Sequence, residues 1–438
     1  MKLSIKNFAK IKEAEILIDG ITVIAGENNT GKSTVGKILF SVFNSLSNID
    51  EKIYEERFKE IKNTNATIIQ NYMVYKKRIR RVFSISMEAN RIAGRINNKL
   101  EERAVGFDVD DENLLSEIKN IISTYIKMEE DETNDGVLEL SEEIYKNTRE
   151  ILNLSEKQLA LEIVSRYFRK VFHSQINSLS NKEDKENEIL LKIKDEEIKI
   201  GFEKNRCNNL EDNIKIIHKA IYIDNPFIID QLTNIDLHPT DEELINILTE
   251  KRLEGIMDGL IESVRAKEKL EDVYKTLDNV VDGEISINPN DNEYYLQNSE
   301  FEEPISFHNL SAGMKSFVIL KMLLEEGKLQ EKDVLILDEP EIHLHPQWQI
   351  VYAELIVLLQ KQFDLSVIVT SHSPYFVDAI NLFSCKHKIG DKVNYYLSSS
   401  YKNIVTMKTV TNNINEIYEE MASPIQMLDT LRYELNNQ

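Results

Sequence analysis

Leu3 and Ile5 alternate with Ser4 and Lys6 at the start of the chain, and Ile16 to Ile18 form a second apolar run. Ile21-Thr22-Val23-Ile24-Ala25 is a third run, short and β-branched. A period of two and β-branched residues predict strands. The period then changes: Val35, Ile38, Leu39 and Val42 recur at helical spacing, so a loop and a helix follow the last of these strands. Residues 46–185 are rich in Glu, Lys, Asn, Ile and Leu and almost free of Pro, and segments such as Glu142 to Val171 read as long amphipathic helices. The acidic runs Asp108 to Glu112 and Glu129 to Asp135 read as loops. Leu190 to Ile193 and Glu197 to Phe202 alternate on either side of Lys194-Asp195-Glu196 and predict a hairpin. Ala220 to Ile223 reads as a buried strand stopped by Asp224-Asn225-Pro226. Residues 240–280 return to charged helix, and Glu284 to Asn288 with Tyr294 to Gln297 predict a second hairpin around Pro289 to Asn292.

From residue 310 the pattern tightens. A helix from Ala312 to about Glu326 precedes the strand Val334 to Leu337, a helix from Pro346 to Gln362 and the strand Ser366 to Thr370, and Tyr375 opens a further helix. Strands alternating with helices predict a mostly parallel sheet. Ile414 to Gln438 reads as one amphipathic helix that docks on the body. The resulting plan has six parts: 1–45, the first part of an α/β head; 46–185, a helical insertion; 186–235, a β-rich part of the head; 236–282, a helical segment; 283–405, the second part of the head; and 406–438, a C-terminal helix.

Composition narrows the class. A hydrophobic fraction of 42% supports sizeable cores, and a net charge of −22 makes the chain as a whole repel nucleic acid and anionic membranes, leaving room only for a local basic patch. Two cysteines, Cys207 and Cys385, give no disulfide framework and fit a reducing cytosol. The N-terminus alternates like a strand and lacks the apolar block of a signal peptide. No run approaches the roughly 20 apolar residues of a membrane span. A cytoplasmic protein with no membrane association is the expectation.

Candidate chemistry lies in separated segments. Gly26-Glu27-Asn28-Asn29-Thr30-Gly31-Lys32-Ser33 reads G-x-x-x-x-G-K-S between a strand and a helix, the context a phosphate-binding P-loop requires. Its backbone N–H groups would wrap phosphates at the positive end of the helix, with Gly26, Asn28, Asn29, Gly31, Lys32, Ser33 and Thr34 as the cradle. Lys32 would neutralise the β- and γ-phosphates of ATP, and the Ser33 hydroxyl would ligate Mg²⁺. Asp338 and Glu339 end the apolar run Val334 to Leu337. Adjacent carboxylates there divide labour: Asp338 would hold Mg²⁺ through water, and Glu339 would polarise the attacking water as general base. His372, in Thr370-Ser371-His372-Ser373-Pro374, stands at the next strand end, where it can reach the γ-phosphate. In Leu310-Ser311-Ala312-Gly313-Met314-Lys315, Ser311 fits an N-cap and Gly313 permits close approach, the makings of a second phosphate clamp.

This order of motifs resembles the ABC-type ATPase head: P-loop, signature, Walker B with D-loop, and switch histidine, as in Rad50, SMC, RecF and the overcoming-lysogenization-defect (OLD) family. Asp338-Glu339-Pro340-Glu341-Ile342-His343-Leu344-His345-Pro346 and Thr370 to Pro374 are similar to OLD-like and related AAA-type ATPases of bacterial defence systems such as Septu. The resemblance covers about 1–45 and 190–400. It implies an α/β fold with a mixed sheet, flanking helices and an antiparallel β subdomain, carrying the large helical insertion. It implies a homodimer or higher oligomer whose heads sandwich two ATP molecules, Ser311 and Gly313 of one head contacting the γ-phosphate bound to the other. Glu341 to His345 would lie at the dimer seam, Lys6 to Ile11 near the adenine, and Gln70 is a candidate for the Q-loop glutamine. A transporter ATPase is disfavoured by the 279 positions between Lys32 and Ser311. An OLD nuclease carries a Toprim domain after the head, but only 64 residues follow Pro374, so the effector, a nuclease or toxin, is expected to be a separate protein. The implied role is the ATPase component of an antiphage defence complex; the alternative is a RecF/Rad50-like repair or recombination ATPase.

Two further signals are weaker. From Lys76 to Arg103 nine Lys and Arg face three Glu, so the run Lys76 to Arg81 is a candidate contact for nucleic-acid phosphates. Arg166 stands seven positions before His173, a spacing compatible with one helical face and with the Arg–His pair of HEPN ribonucleases.

Overall fold

A computed structural model describes residues 1–77, 82–104, 111–125, 135–179, 187–212, 214–232, 237–249, 270–288, 293–298, 302–402 and 404–436. The chain folds into two compact units: Met1–Ser47 with Val164–Gln438, and Asn48–Ile163.

The first unit is built on an 11-stranded sheet in the order β6-β5-β4-β1-β2-β14-β13-β3-β12-β11-β7. The strands are β1 (Lys2–Phe8), β2 (Ile11–Leu17), β3 (Ile21–Gly26), β4 (Asn187–Ile193), β5 (Glu196–Glu203), β6 (Arg206–Asp212), β7 (Ala220–Ile223), β11 (Val334–Asp338), β12 (Ser366–Ser371), β13 (Val393–Tyr401) and β14 (Ile404–Thr409). A smaller three-stranded sheet holds β8 (Glu284–Ile287), β9 (Tyr294–Gln297) and β10 (Ile305–Ser306). One end of the large sheet is antiparallel, from β6 through β5, β4 and β1 to β2. The other end is parallel, β13-β3-β12-β11-β7. This is the mixed sheet with an antiparallel part that the motif order implied.

Every residue of β11 is buried, as expected of a parallel strand covered on both faces. The parallel register sets Thr370 level with both Asp338 and Ile24, and Ser371 level with Ala25. The carboxyl ends of β3, β11 and β12 therefore open on one sheet edge, the place where open α/β sheets bind ligands. Helix α1 (Lys32–Leu46) follows β3 directly. Asn44 on α1 exchanges two hydrogen bonds with Ala220, donating to its carbonyl at 2.9 Å and accepting from its N–H at 2.7 Å. Both groups are buried, so this amide substitutes for a ladder partner at the β7 edge.

The second unit consists of α2 (Ile49–Lys77), α3 (Val82–Ala104), α4 (Asp111–Tyr125), α5 (Asp135–Leu152) and the start of α6 (Glu156–Val171). Ile61, Ile69, Ile92, Ile96, Ile118 and Ile144 form the centre of its core. Buried Asn65 donates to Thr148 Oγ1 at 3.1 Å and accepts from Asn147 at 3.0 Å. That polar contact pins the register of α2 against α5.

Some expectations change. Asp111 and Asp135, read as loop residues, open α4 and α5; the rest of 105–110 and 126–134 lies outside the described residues. The helix read across Glu142 to Val171 breaks at Asn153 to Ser155. There Ser155-Glu156-Lys157-Gln158 carries the Ser-x-x-Gln pattern that starts a new helix. β6 was not legible: it lies at the sheet edge, and most of its side chains are partly or fully exposed, so no alternation marks it. The remaining helices of the first unit are α7 (Pro239–Thr249), α8 (Glu271–Asp278), α9 (Ala312–Glu325), α10 (Pro346–Phe363), α11 (Pro374–Lys386) and α12 (Asn415–Asn436). α12 docks through its first turns, where Ile417 is buried and the Tyr418 hydroxyl donates to Asp378 at 3.0 Å. Farther along, Met427, Leu428, Leu431, Tyr433 and Leu435 are exposed. Among the described residues no helix is long and apolar enough to cross a membrane.

α1 lies so close to the sheet that a Cβ at Gly36 would come 2.8 Å from Ile336 and 3.2 Å from Tyr222. Gly36→Ala is therefore expected to destabilise the first unit by about 1–3 kcal/mol through overpacking, against a helix-propensity gain of about 1 kcal/mol. Chemical denaturation checks this; a raised midpoint would refute the close approach.

Candidate active site

β3 delivers the chain to the P-loop at Gly26. That residue has φ 151°, and a Cβ there would lie 2.3 Å from the Ser398 carbonyl oxygen, so only glycine fits. The loop turns through left-handed Asn29 and Gly31 into α1. Ser398 Oγ donates to the Thr30 carbonyl at 2.5 Å, Thr30 Oγ1 to the Glu27 carbonyl at 2.7 Å, and Lys10 Nζ to Asn29 Oδ1 at 2.6 Å. The first turn of α1 holds no acidic residue, so its positive end is left for an anion. Asn29, Gly31, Lys32, Ser33 and Thr34 line a cavity of about 320 Å³ that Glu339 also borders. Gly26 sits behind the loop, and Asn28 is exposed at its tip; neither lines the cavity.

Lys32 is 3% exposed, a burial that an ammonium tolerates only with partners. Its Nζ donates to the Gly26 carbonyl at 3.0 Å and the Glu27 carbonyl at 2.8 Å, and lies 3.2 Å from Glu339 Oε1. Asp338, at the end of β11, accepts three hydroxyls. Ser33 Oγ and Thr370 Oγ1 donate to its Oδ1 at 2.9 and 2.5 Å, and Tyr222 Oη donates to its Oδ2 at 2.5 Å. Ser33 and Asp338 thus present adjacent hard oxygens, which suit a Mg²⁺ ion completed by waters and phosphates. Burial pushes the Tyr222 phenol well above its ordinary range, with Asp338 adding to the effect, so it stays a proton donor. Beside Asp338, at the end of β7, burial pushes the Asp224 carboxyl up to about 6; Lys37 opposes this, and Asp241 and Asp338 add to it.

Glu339 adopts φ 50°, a left-handed conformation worth about 1–3 kcal/mol of strain in a residue with a side chain. Its N–H is tied to the Thr370 carbonyl at 3.1 Å and to Thr370 Oγ1 at 3.0 Å, and this holds the turn. The turn aims the carboxylate back over the P-loop. His372, 43% exposed, places Nδ1 at 3.6 Å from Glu339 Oε2 and 3.5 Å from Glu341 Oε1. Lys32, Ser33, Asp338, Glu339 and His372 are thus gathered at one sheet edge by strand register.

Glu341, expected within the segment at the dimer seam, is 2% exposed, and its side chain points inward. Its Oε1 accepts from Ser371 Oγ at 2.6 Å and from the His372 N–H at 2.8 Å. Burial raises its pKa, and these hydrogen bonds act in the opposite sense. It holds the His372 segment in place beneath the ring. Ser373 Oγ extends the contact by donating to Gln349 Oε1 at 2.7 Å.

Ser311 caps α9, its hydroxyl accepting from the Met314 N–H at 3.3 Å. Gly313 packs against Trp348, where a Cβ would sit 3.0 Å from the indole. Lys315, 2% exposed, pairs with Asp230 and lies 5.2 Å from the centre of the Phe227 ring. Neither Ser311 nor Gly313 lines the P-loop cavity.

Of the region expected near the base, Ala9 and Lys10 reach the cavity. Gln70 lies within α2, in the second unit, and lines none of it. Arg166 and His173 do not share a helical face: α6 ends at Val171, and His173 sits in a left-handed turn with its ring 5.3 Å from that of His238. Of the basic run, Arg78 to Arg81 lies outside the described residues. Sequence reasoning missed Tyr222, Thr370 and Glu341 as partners of the site. The one signal for Tyr222 was a hydroxyl inside an otherwise apolar strand.

Tyr222→Phe keeps the ring volume but removes the hydroxyl that donates to Asp338 Oδ2. It is expected to cost about 1–3 kcal/mol of stability, read as a lower denaturation midpoint with unchanged secondary structure. An unchanged midpoint would mean that the phenol does not support this carboxylate.

A protein of Clostridium acetobutylicum named as an ABC transporter ATP-binding protein is 26% identical over 176 residues, which are 40% of this chain and 54% of that protein. The chain thus spans about half the length of this curated relative. Among solved structures, the SMC head domain from Thermotoga maritima is 11% identical, with a TM-score of 0.38, over 93% of this chain and 98% of that one. The Smc head domain with an extended coiled coil bound to the C-terminal domain of ScpA, from Pyrococcus furiosus, is 12% identical, with a TM-score of 0.43, over 98% of each chain. The model of the AAA ATPase domain matches residues 1–377. The chain therefore belongs to the AAA ATPase domain family.

Proposed function

We propose that this protein is an ATP-gated dimeric switch, the ATPase component of a bacterial antiphage defence complex that governs a separate nuclease or toxin in the cytoplasm. The observation that carries the dimer is the division of the motifs. The P-loop, Asp338, Glu339 and His372 share one sheet edge, whereas Ser311 caps α9 and Gly313 lies in its first turn, neither lining the P-loop cavity. A second head that brought its Ser311 and Gly313 over the γ-phosphate would complete the site. The defence role rests on the Asp338 to Pro346 and Thr370 to Pro374 resemblance.

The Lys32–Glu339 contact suggests how hydrolysis is made dependent on ATP. Lys32 Nζ lies 3.2 Å from Glu339 Oε1. In the proposed cycle the γ-phosphate takes Lys32 and frees the Glu339 carboxylate to polarise water. His372, beside that carboxylate, faces the same phosphate. Gly26, Asn28, Asn29, Gly31 and Thr34 shape the loop around the phosphate chain. Mg²⁺ held by Ser33 and Asp338 would supply charge neutralisation between the β- and γ-phosphates.

Glu339→Gln should slow hydrolysis by about 10²- to 10⁴-fold and accumulate an ATP-bound dimer, measured as doubled mass by light scattering. Lys32→Ala should neither bind ATP nor dimerise. A Glu339→Gln protein that stays monomeric in saturating ATP would rule out the sandwich. Co-expression with the adjacent gene product tests the effector: an assembly whose composition changes with ATP is expected, and ATPase activity stimulated by DNA without such an assembly would instead indicate repair.

A further inference from the structure

Part of the wall of the P-loop cavity comes from a segment outside the P-loop. Phe172 and Leu179, together with Gln175, line it along with Asn29 to Thr34. α6 ends at Val171, and two consecutive residues in left-handed conformations, His173 (φ 47°) and Ser174 (φ 62°), turn the chain back. The returning stretch is then stitched to the β1–β2 turn. The Ala9 N–H donates to the Ile176 carbonyl at 3.0 Å, the Leu179 N–H donates to the Ala9 carbonyl at 2.8 Å, and Asn177 forms a bridge with Phe8. Asn205, in the β5–β6 turn, clamps it from the other side. Its Oδ1 accepts the N–H groups of Ile176 and Asn177 at 3.0 and 2.8 Å, and its own N–H donates to Asn177 Oδ1 at 3.0 Å. The Phe172 ring is fixed edge-on to Phe8, 4.9 Å between centres. Left-handed conformations outside glycine persist only where the surroundings over-determine them, and here a hydrogen-bond clamp and an aromatic cluster do so.

The consequence is a cavity with two chemistries. Part of the wall is a cradle of backbone N–H groups and Lys32. Part is the Phe172 ring, packed on Phe8, with the exposed side chains of Leu179 and Gln175. A phosphate chain explains the first part only. The second suits a flat apolar heterocycle joined to those phosphates.

We propose that Phe172 and Leu179 form the nucleobase seat of this ATPase, packing against the base of the bound nucleotide and setting its position relative to the P-loop. The proposal rests on the reading of the P-loop as the triphosphate site, and it adds residues from the exit of the helical insertion to that site. Lys10, held on Asn29, borders the seat from the β1–β2 turn.

The test compares two probes on the full-length protein with Mg²⁺ by calorimetry: ATP, and inorganic tripolyphosphate, which carries the phosphates without a base. Stacking of a base on an aromatic side chain corresponds to about 5- to 150-fold in affinity. Phe172→Ala is expected to weaken ATP binding by at least about fivefold and to leave tripolyphosphate binding unchanged. Because Phe172 also packs on Phe8, Phe172→Leu and Leu179→Ala serve as gentler variants. Each should lower the ratio of ATP to tripolyphosphate affinity in protein with a wild-type unfolding midpoint. An unchanged ratio in all the folded variants, or an equal loss for both probes, overturns the seat while leaving the P-loop reading standing. A wild-type protein that binds neither probe overturns both.

Discussion

One buried carboxylate organises this site. Asp338 lies at the end of a fully buried strand, where an unpaired charge would be costly, and three hydroxyls from three different elements make it tolerable. Ser33 comes from α1, Thr370 from β12 and Tyr222 from β7. Those hydrogen bonds depend on the parallel register that levels Asp338 with Thr370 and on the close packing of α1 over β11 and β7. The energetics of the charge and the geometry of the sheet edge are therefore one problem. A slip of β11 by one residue would leave the carboxylate without these donors and part it from Ser33 at the same time.

Around Asp338 the remaining charges hold one another in place. Lys32 is held by Glu339 and two loop carbonyls. Glu339 is held in a strained turn by Thr370, and the His372 backbone is fixed from below by Glu341. Thr370 serves both carboxylates, its hydroxyl donating to Asp338 while accepting from the Glu339 N–H. An arriving anion competes for Lys32, so it necessarily alters the surroundings of Glu339 and, through it, of His372. Anion binding at Lys32 and the freedom of the Glu339 carboxylate are linked by shared partners rather than by a long-range pathway.

Much of this was legible along the chain. The period of two before Gly26, the helical period after Lys32 and the apolar runs before Asp338 and Ser371 follow from local burial, and local burial is written into each segment. The P-loop was legible because its glycines and its lysine are demanded by the loop's own backbone and by phosphate chemistry. β6 was not, because an edge strand with exposed faces carries no alternation. The break before α6 was legible only in its capping pattern, which the longer helical period obscured.

The amino-acid sequence by itself thus determined the element types, the α/β character and the residues with phosphate and acid–base chemistry. Tertiary structure alone decided which of them meet. It turned Glu341 inward beneath His372, brought Tyr222 to Asp338 across 116 positions, left Gln70 in the other unit, and set Phe172 and Leu179 into the wall of the P-loop cavity. The physical reason is that hydrogen-bond partners and cavity walls are chosen by strand order and register. Both are non-local, and neither leaves a mark on the spacing of residues within one segment.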